Sequence, residues 1–162
     1  MPVNEKFAFS SCVASDVFHP HKAAKGYEWW YFDALSDDGR EAVVIIFLDN
    51  FVFSPRYNAP ESSKFSVRTL FSNRRDLGAR AKEKVPAVAF IYYRDGKPLY
   101  RAINEFTEDA FAASAERPEC RIGDNFFTYE SAPYGSGYTI QINARLRKNR
   151  TVEAHFEWLS IE

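Results

Sequence analysis

The chain has 162 residues, of which 46% are hydrophobic and 17% aromatic, and its formal net charge is −1. That length supports one core rather than two ordinary domains, so residues 1–162 are expected to form a single domain. With no basic run longer than Asn73-Arg74-Arg75 or Arg145-Leu146-Arg147-Lys148, the electrostatic footprint of a nucleic-acid partner is missing.

No stretch approaches the roughly 20 apolar residues of a membrane helix. The opening residues Met1-Pro2-Val3-Asn4-Glu5-Lys6 contain no apolar core of signal-peptide length, so no stable membrane insertion and a cytoplasmic location are expected. In that compartment Cys12 and Cys120, far apart and without a CxxC companion, are expected as reduced thiols. The sequon Asn149-Arg150-Thr151 then has no meaning.

In chain order, His19-Pro20-His21 comes first. Two imidazoles without a third ligand make a poor metal site, and an exposed turn with no metal is expected there. Tyr27 to Asp33 follow as Tyr-Glu-Trp-Trp-Tyr-Phe-Asp, five aromatics and two carboxylates in seven positions. As a strand this segment places Glu28, Trp30 and Phe32 on one face and Tyr27, Trp29, Tyr31 and Asp33 on the other. An ionised carboxylate among rings is costly to bury unless paired, so each acid is either satisfied by a partner or kept for chemistry.

Ser36-Asp37-Asp38-Gly39 predicts a turn into Glu41 to Leu48, whose continuous apolarity predicts burial on both faces. Ser54 to Lys64 is polar with two prolines and reads as a long loop, followed by a possible strand over Phe65 to Leu70 and a charged connection over Asn73 to Lys84. Asp95-Gly96 predicts a hairpin between Ala87 to Tyr93 and Pro98 to Ile103. Thr107 to Ser114 reads as one or two helical turns, Cys120 to Ile122 and Asn125 to Glu130 as short strands, and Gly135-Ser136-Gly137 as a flexible hairpin.

The last pair, Tyr138 to Leu146 and Thr151 to Leu159 around Lys148-Asn149, alternates cleanly and predicts a sheet with one wet face. His155 lies on that face between Glu153 and Glu157, where a charged cross-strand ladder is the ordinary explanation. Hairpin spacing with little helix makes the fold class all-β, an antiparallel barrel or sandwich.

The run Gly26 to Arg40, followed by Phe47 and Val52-Phe53-Ser54-Pro55, resembles the opening of the carotenoid 1,2-hydratase (hydroxyneurosporene synthase) family. That family lies in a lipocalin-like group that also holds fungal Diels-Alderase-type cyclases. The resemblance is dense over residues 26–57, has a looser echo from Cys120 to the final hairpin, and is lacking over Ala59 to Arg80. It implies a lipocalin-like antiparallel β domain, the first of a pair in many relatives, with an apolar isoprenoid-type ligand held in or between the domains. A second β domain or a homodimer would then complete the surface.

Hydration of an isolated alkene needs proton delivery, aromatic faces to stabilise the carbocation, and a held water. Glu28, Asp33 and Asp49 are the candidate acids, and Trp29, Trp30, Tyr31, Tyr92 and Tyr93 the candidate ligand-binding rings; no cofactor is called for. Because Glu28 and Asp33 lie on opposite strand faces, only one can address a given cavity. The competing view is that the rings are core and the acids accept hydrogen bonds from Arg or Tyr side chains, in which case the chain is a non-catalytic carrier or partner subunit.

Overall fold

The structure, a computed structural model, describes residues 10, 12–21, 26–59, 83–132 and 135–159. The expected strand over Phe65 to Leu70 and the connection from Asn73 lie outside those residues, except for the last two positions, Glu83 and Lys84.

β-Branched and aromatic runs bounded by tight turns form nine antiparallel strands among the described residues. The first sheet is β1 (Trp29–Leu35), β2 (Glu41–Leu48), β3 (Ala87–Arg94) and β4 (Lys97–Glu105), in that spatial order. The second is β5 (Phe111–Ala113), β6 (Glu119–Ile122), β7 (Asn125–Ala132), β8 (Gly135–Arg145) and β9 (Thr151–Leu159), again each beside its sequence neighbour. The fold is all-β, two packed antiparallel sheets. Asp95 and Gly96, with φ of 50° and 73°, form the two-residue β3–β4 hairpin, and Lys148 and Asn149 adopt positive φ between β8 and β9.

Two local expectations are corrected. Of the one or two helical turns expected over Thr107 to Ser114, a single 3₁₀ turn forms at Glu108–Ala110, and Phe111–Ala113 instead become β5, pairing from Phe111↔Ile122 to Ala113↔Cys120. Gly135 to Gly137 are not a free hairpin but the first residues of β8. A Cβ on Gly137 would sit 2.0 Å from the Trp158 carbonyl oxygen, so glycine is what lets β8 and β9 approach there.

Period-2 alternation sends Trp30 and Phe32 of β1, Val43, Ile45 and Phe47 of β2, and Val88 and Phe90 of β3 towards the second sheet. They meet Ile122, Phe127, Ile140 and Ile142 from β6 to β8 and Phe156 and Trp158 of β9, so protein side chains occupy the space between the sheets. The strands of the two sheets cross rather than run alongside one another. Along β1, contacts pass from Phe127 of β7 at Trp30 to Trp158 of β9 at Phe32 and Asp33. Along β8 they pass from Phe32 of β1 at Tyr138 to Asn104 of β4 at Arg145.

Phe127, 1% exposed, lies with its ring centroid 5.4, 5.1, 5.2 and 6.0 Å from those of Trp30, Phe32, Phe47 and Tyr138. Replacing it empties the point at which β1 and β2 of one sheet and the second sheet's β8 converge. Phe127→Ala is expected to lower unfolding free energy by about 3–5 kcal/mol in a denaturant titration, with Tyr129→Ala, half-buried on the same strand, costing less.

Candidate functional site

The carboxylates meet where β1 begins and β2 ends. Antiparallel pairing sets Trp29 opposite Leu48, so the next pair outward is Glu28 with Asp49. The Asp49 amide donates to the Glu28 carbonyl at 3.1 Å, and Asp49 Oδ1 accepts the Glu28 amide at 2.6 Å. The side chain of Asp49 thus continues the ladder past the end of the strand. It has no solvent exposure, and its second oxygen, Oδ2, accepts from Lys84 Nζ at 2.7 Å. Lys84 reaches it because β2 and β3 pair as Leu48↔Ala87, which returns the residues before β3 to the end of β2.

A buried carboxylate needs this much satisfaction to remain where it is. Around it Asn50, also fully buried, accepts the Val85 amide at 3.2 Å and donates to the Gly26 carbonyl at 3.2 Å, tying the three strand ends together. Ser54 caps the short helix α1 (Pro55–Asn58) beside them, accepting from the Arg56 and Tyr57 amides.

Glu28 faces the segment before β1. Its Oε2 accepts the His19 amide at 2.8 Å, and its Oε1 lies 2.8 Å from His19 Nδ1, whose ring is 63% exposed while the Glu28 side chain is 20% exposed. His21 turns inward: Nε2 is 3.1 Å from Asp49 Oδ2, yet neither ring nitrogen has an aligned hydrogen-bond partner among the described residues. A Cβ on Gly26 would lie 2.3 Å from His21 Nδ1, so glycine leaves the room the ring occupies. The expected exposed turn is therefore correct for His19 and wrong for His21, which close packing against Gly26 and the pull of Asp49 draw in.

The same segment closes over the aromatic end of the core. Phe18 packs on Trp30 and Phe111 at 6.2 and 5.4 Å, Lys84 Nζ lies 5.9 Å from the Phe18 ring, and the Phe18 amide donates to Ser114 O. Trp30 donates its indole N–H to Asp16 O at 2.8 Å, and the Tyr138 hydroxyl donates to Asp16 Oδ2. Burial first, then the Asp16 carboxylate, pushes the Tyr138 phenol above its ordinary range.

Cys120, 2% exposed, lies behind these groups. Its thiol is pushed well above its ordinary range by burial, then by the negative charges of Asp49 and Glu28. Cys120 also forms part of the wall of an open concavity of about 440 Å³ along β5, β6 and β7, with Ser114, Phe126, Phe127 and Thr128.

Of the residues singled out in the sequence, the structure brings Glu28 and Asp49 together, and it places Trp30 in the core. Asp33 stands on the opposite face, exposed, its side chain without a partner among the described residues, while its carbonyl accepts from Trp158 Nε1 at 3.2 Å. Trp29 and Tyr31 share that outer face at 56% and 54% exposure. Tyr92 points between the sheets and stacks on Tyr100, whereas Tyr93 pairs with Ala42 on the outer face. The five rings thus divide between two faces and do not line one cavity. The partner of Glu28 is a histidine of the preceding segment and not an Arg or Tyr of a neighbouring strand.

Lys84 is not singled out by the sequence, and His21 is read there only as part of an exposed turn. Lys84 was legible only from the β2–β3 register, and nothing local distinguishes His21. Among the described residues no group of three or more His, Cys, Asp or Glu side chains is arranged to hold a metal ion, and no helix is long and apolar enough to cross a membrane.

No family model matches the chain, and no solved structure matches it. Curated proteins do. A hydroxyneurosporene dehydrogenase of Chlorobaculum tepidum is 27% identical over 149 residues, 88% of this chain and 35% of that protein. Acyclic carotenoid 1,2-hydratases of Thiocapsa roseopersicina and Rubrivivax gelatinosus are 59% and 56% identical over 32 residues, 20% of this chain and 8% of each enzyme. The chain is thus similar to carotenoid-modifying proteins, and it spans about a third of the length of the Chlorobaculum relative.

Two outcomes test this description. A thiol reagent at pH 8 is expected to modify Cys12 alone in the folded protein and both cysteines in denaturant, counted by mass, since Cys12 is exposed and the Cys120 thiolate is doubly disfavoured. The raised Cys120 thiol adds stability that is complete below the unfolded thiol's ordinary range and is lost as pH rises above it. Lys84→Met leaves Asp49 buried without its ammonium and is expected to cost about 3 kcal/mol in chemical denaturation, with Asp49→Asn/Lys84→Met costing less than the sum of the single changes.

Proposed function

We propose that this chain is a lipocalin-like β domain of a carotenoid-hydratase-like protein, acting on an apolar acyclic isoprenoid by acid-assisted addition of water to a C=C bond. The observation that carries the reading is the coupling of two carboxylates at the aromatic end of the core. Asp49, held by Lys84, grips the backbone amide of Glu28, and the Glu28 carboxylate lies 2.8 Å from the exposed ring of His19. The similarity to acyclic carotenoid 1,2-hydratases supplies the substrate class.

In this reading Glu28, with His19, delivers a proton to one alkene carbon, and the neighbouring carbon becomes the cation. Water adds its oxygen to that carbon and returns a proton to the carboxylate, so the acid is regenerated and one water is consumed. Asp49 is a positioning residue: it touches the Glu28 amide and not the reactant. Because side chains fill the space between the sheets, the isoprenoid lies outside the core. The concavity beside Cys120 is large enough for a short segment of it.

The rest of the binding surface comes from a second β unit, either a further domain or a second copy, and the protein works in the cytoplasm. The packed interior also favours a second reading, a non-catalytic domain that presents an apolar surface to ligand or partner.

The test adds an acyclic polyene dispersed in detergent, follows binding by quenching of tryptophan emission, and counts product by mass as substrate plus one water. Glu28→Gln is expected to bind the polyene as the parent chain does and to lower hydration about 100-fold or more. Asp49→Asn should lower it less while leaving affinity unchanged. Undiminished hydration by Glu28→Gln overturns the assignment of the acid. Binding with no hydration by the parent chain replaces the enzyme with the carrier.

A further inference from the structure

The first sheet has a second face, and it is greasy. Strands β2 and β3 are apolar on both sides, so the side turned away from the core carries the register rows Tyr31, Ile46, Ala89, Ile103 and Asp33, Val44, Ile91, Arg101. Tyr31 is 54% and Ile103 48% exposed, while Val44, Ile46 and Ile91 are half-buried. Four strands spaced by about 4.8 Å and the roughly five residues of rise clear of buried Leu48 and Ala87 give a projected footprint on the order of 300 Å². A patch of a few hundred Å² on a soluble protein is often functional.

The charges on this face are arranged in a way that a lone sheet does not explain. Asp33 and Arg101 occupy the same row at opposite edges, on β1 and β4, three strand spacings apart and too far to pair within one copy. Both are exposed, and neither side chain has a partner among the described residues.

We infer that this face docks against the same face of a second copy of the chain, about a two-fold axis parallel to the strands and passing between β2 and β3. That operation lays β1 of one copy over β4 of the other. Asp33 then meets the other copy's Arg101 twice, Tyr31 meets Ile103, and Val44 meets Ile91. The contact is isologous, with an apolar centre and paired charges at its rim, the layout of a symmetric dimer. It stands independently of the catalytic reading, since none of these residues belongs to the Glu28 and Asp49 cluster.

The geometry is tested by charge exchange, read by light scattering and sedimentation. The parent chain is expected to dimerise at micromolar concentration. Asp33→Arg places two like pairs of cations at the rim and Arg101→Asp two pairs of anions, so each variant alone should dissociate at least 10-fold more readily. Mixed in equal amounts, the two should recover a heterodimer, because every rim contact is then an opposite pair. Both positions are exposed on edge strands, and circular dichroism is expected to show unchanged strand content. A parent chain that stays monomeric at high concentration, single variants that dimerise like the parent, or a mixture that stays monomeric overturns the proposal. The last outcome, with monomeric variants, assigns the face to a different occupant such as a further β domain.

Discussion

The meeting of inward-pointing aromatic rings at Phe127 is the constraint on which the rest of the molecule depends. The space between the two sheets is filled at this point by large flat groups tilted against each other. Trp30, Phe32 and Phe47 approach from the first sheet, and Tyr138 sits beside Phe127 in the second. Within this core the buried polar side chain of Asn125 is satisfied by the Ile122 carbonyl and the Asn143 amide, and the carboxylates lie at its end.

There they are organised by the same ladder that builds the sheet. Asp49 is one residue past β2, yet it remains in register, exchanging hydrogen bonds with Glu28 through backbone and side chain. The cost of removing its charge from water is offset by Lys84 and by the Glu28 amide, so a group that would otherwise unravel the strand end becomes its terminal staple. Glu28, partly exposed and joined to His19, is left as the acid that faces outward. Two neighbouring carboxylates are thus satisfied in different ways, one buried on Lys84 and one partly exposed on His19, and the buried one fixes the backbone of the other.

The opposite side of the first sheet tells a complementary story. Apolar residues on both faces of β2 and β3 exceed what one core requires, and the surplus lies on a surface bearing Trp29 and Tyr31 at one edge and Ile103 at the other. The ring-rich segment from Tyr27 to Asp33 therefore serves two surfaces. Trp30 and Phe32 hold the core together, and the residues between them belong to a face suited to association.

The positions of β1 to β4, β6, β7 and β9, the Asp95-Gly96 and Lys148-Asn149 turns, the all-β class and the division of Glu28 from Asp33 follow from local chemistry: alternation of period two and backbone conformations that few residues adopt. Gly135 to Gly137 do enter a hairpin, but their place in β8 and the need for glycine at 137 depend on the approach of β9, more than twenty residues away in sequence from Gly137 to Leu159 and invisible in the tripeptide. Only the tertiary structure decided that Asp49 joins Glu28, that Lys84 and His21 gather on Asp49, and that the candidate rings divide between core and surface. These outcomes rest on strand register and on the crossing of two sheets, which are set by distant side chains fitting together, and no property of a residue and its immediate neighbours contains that information.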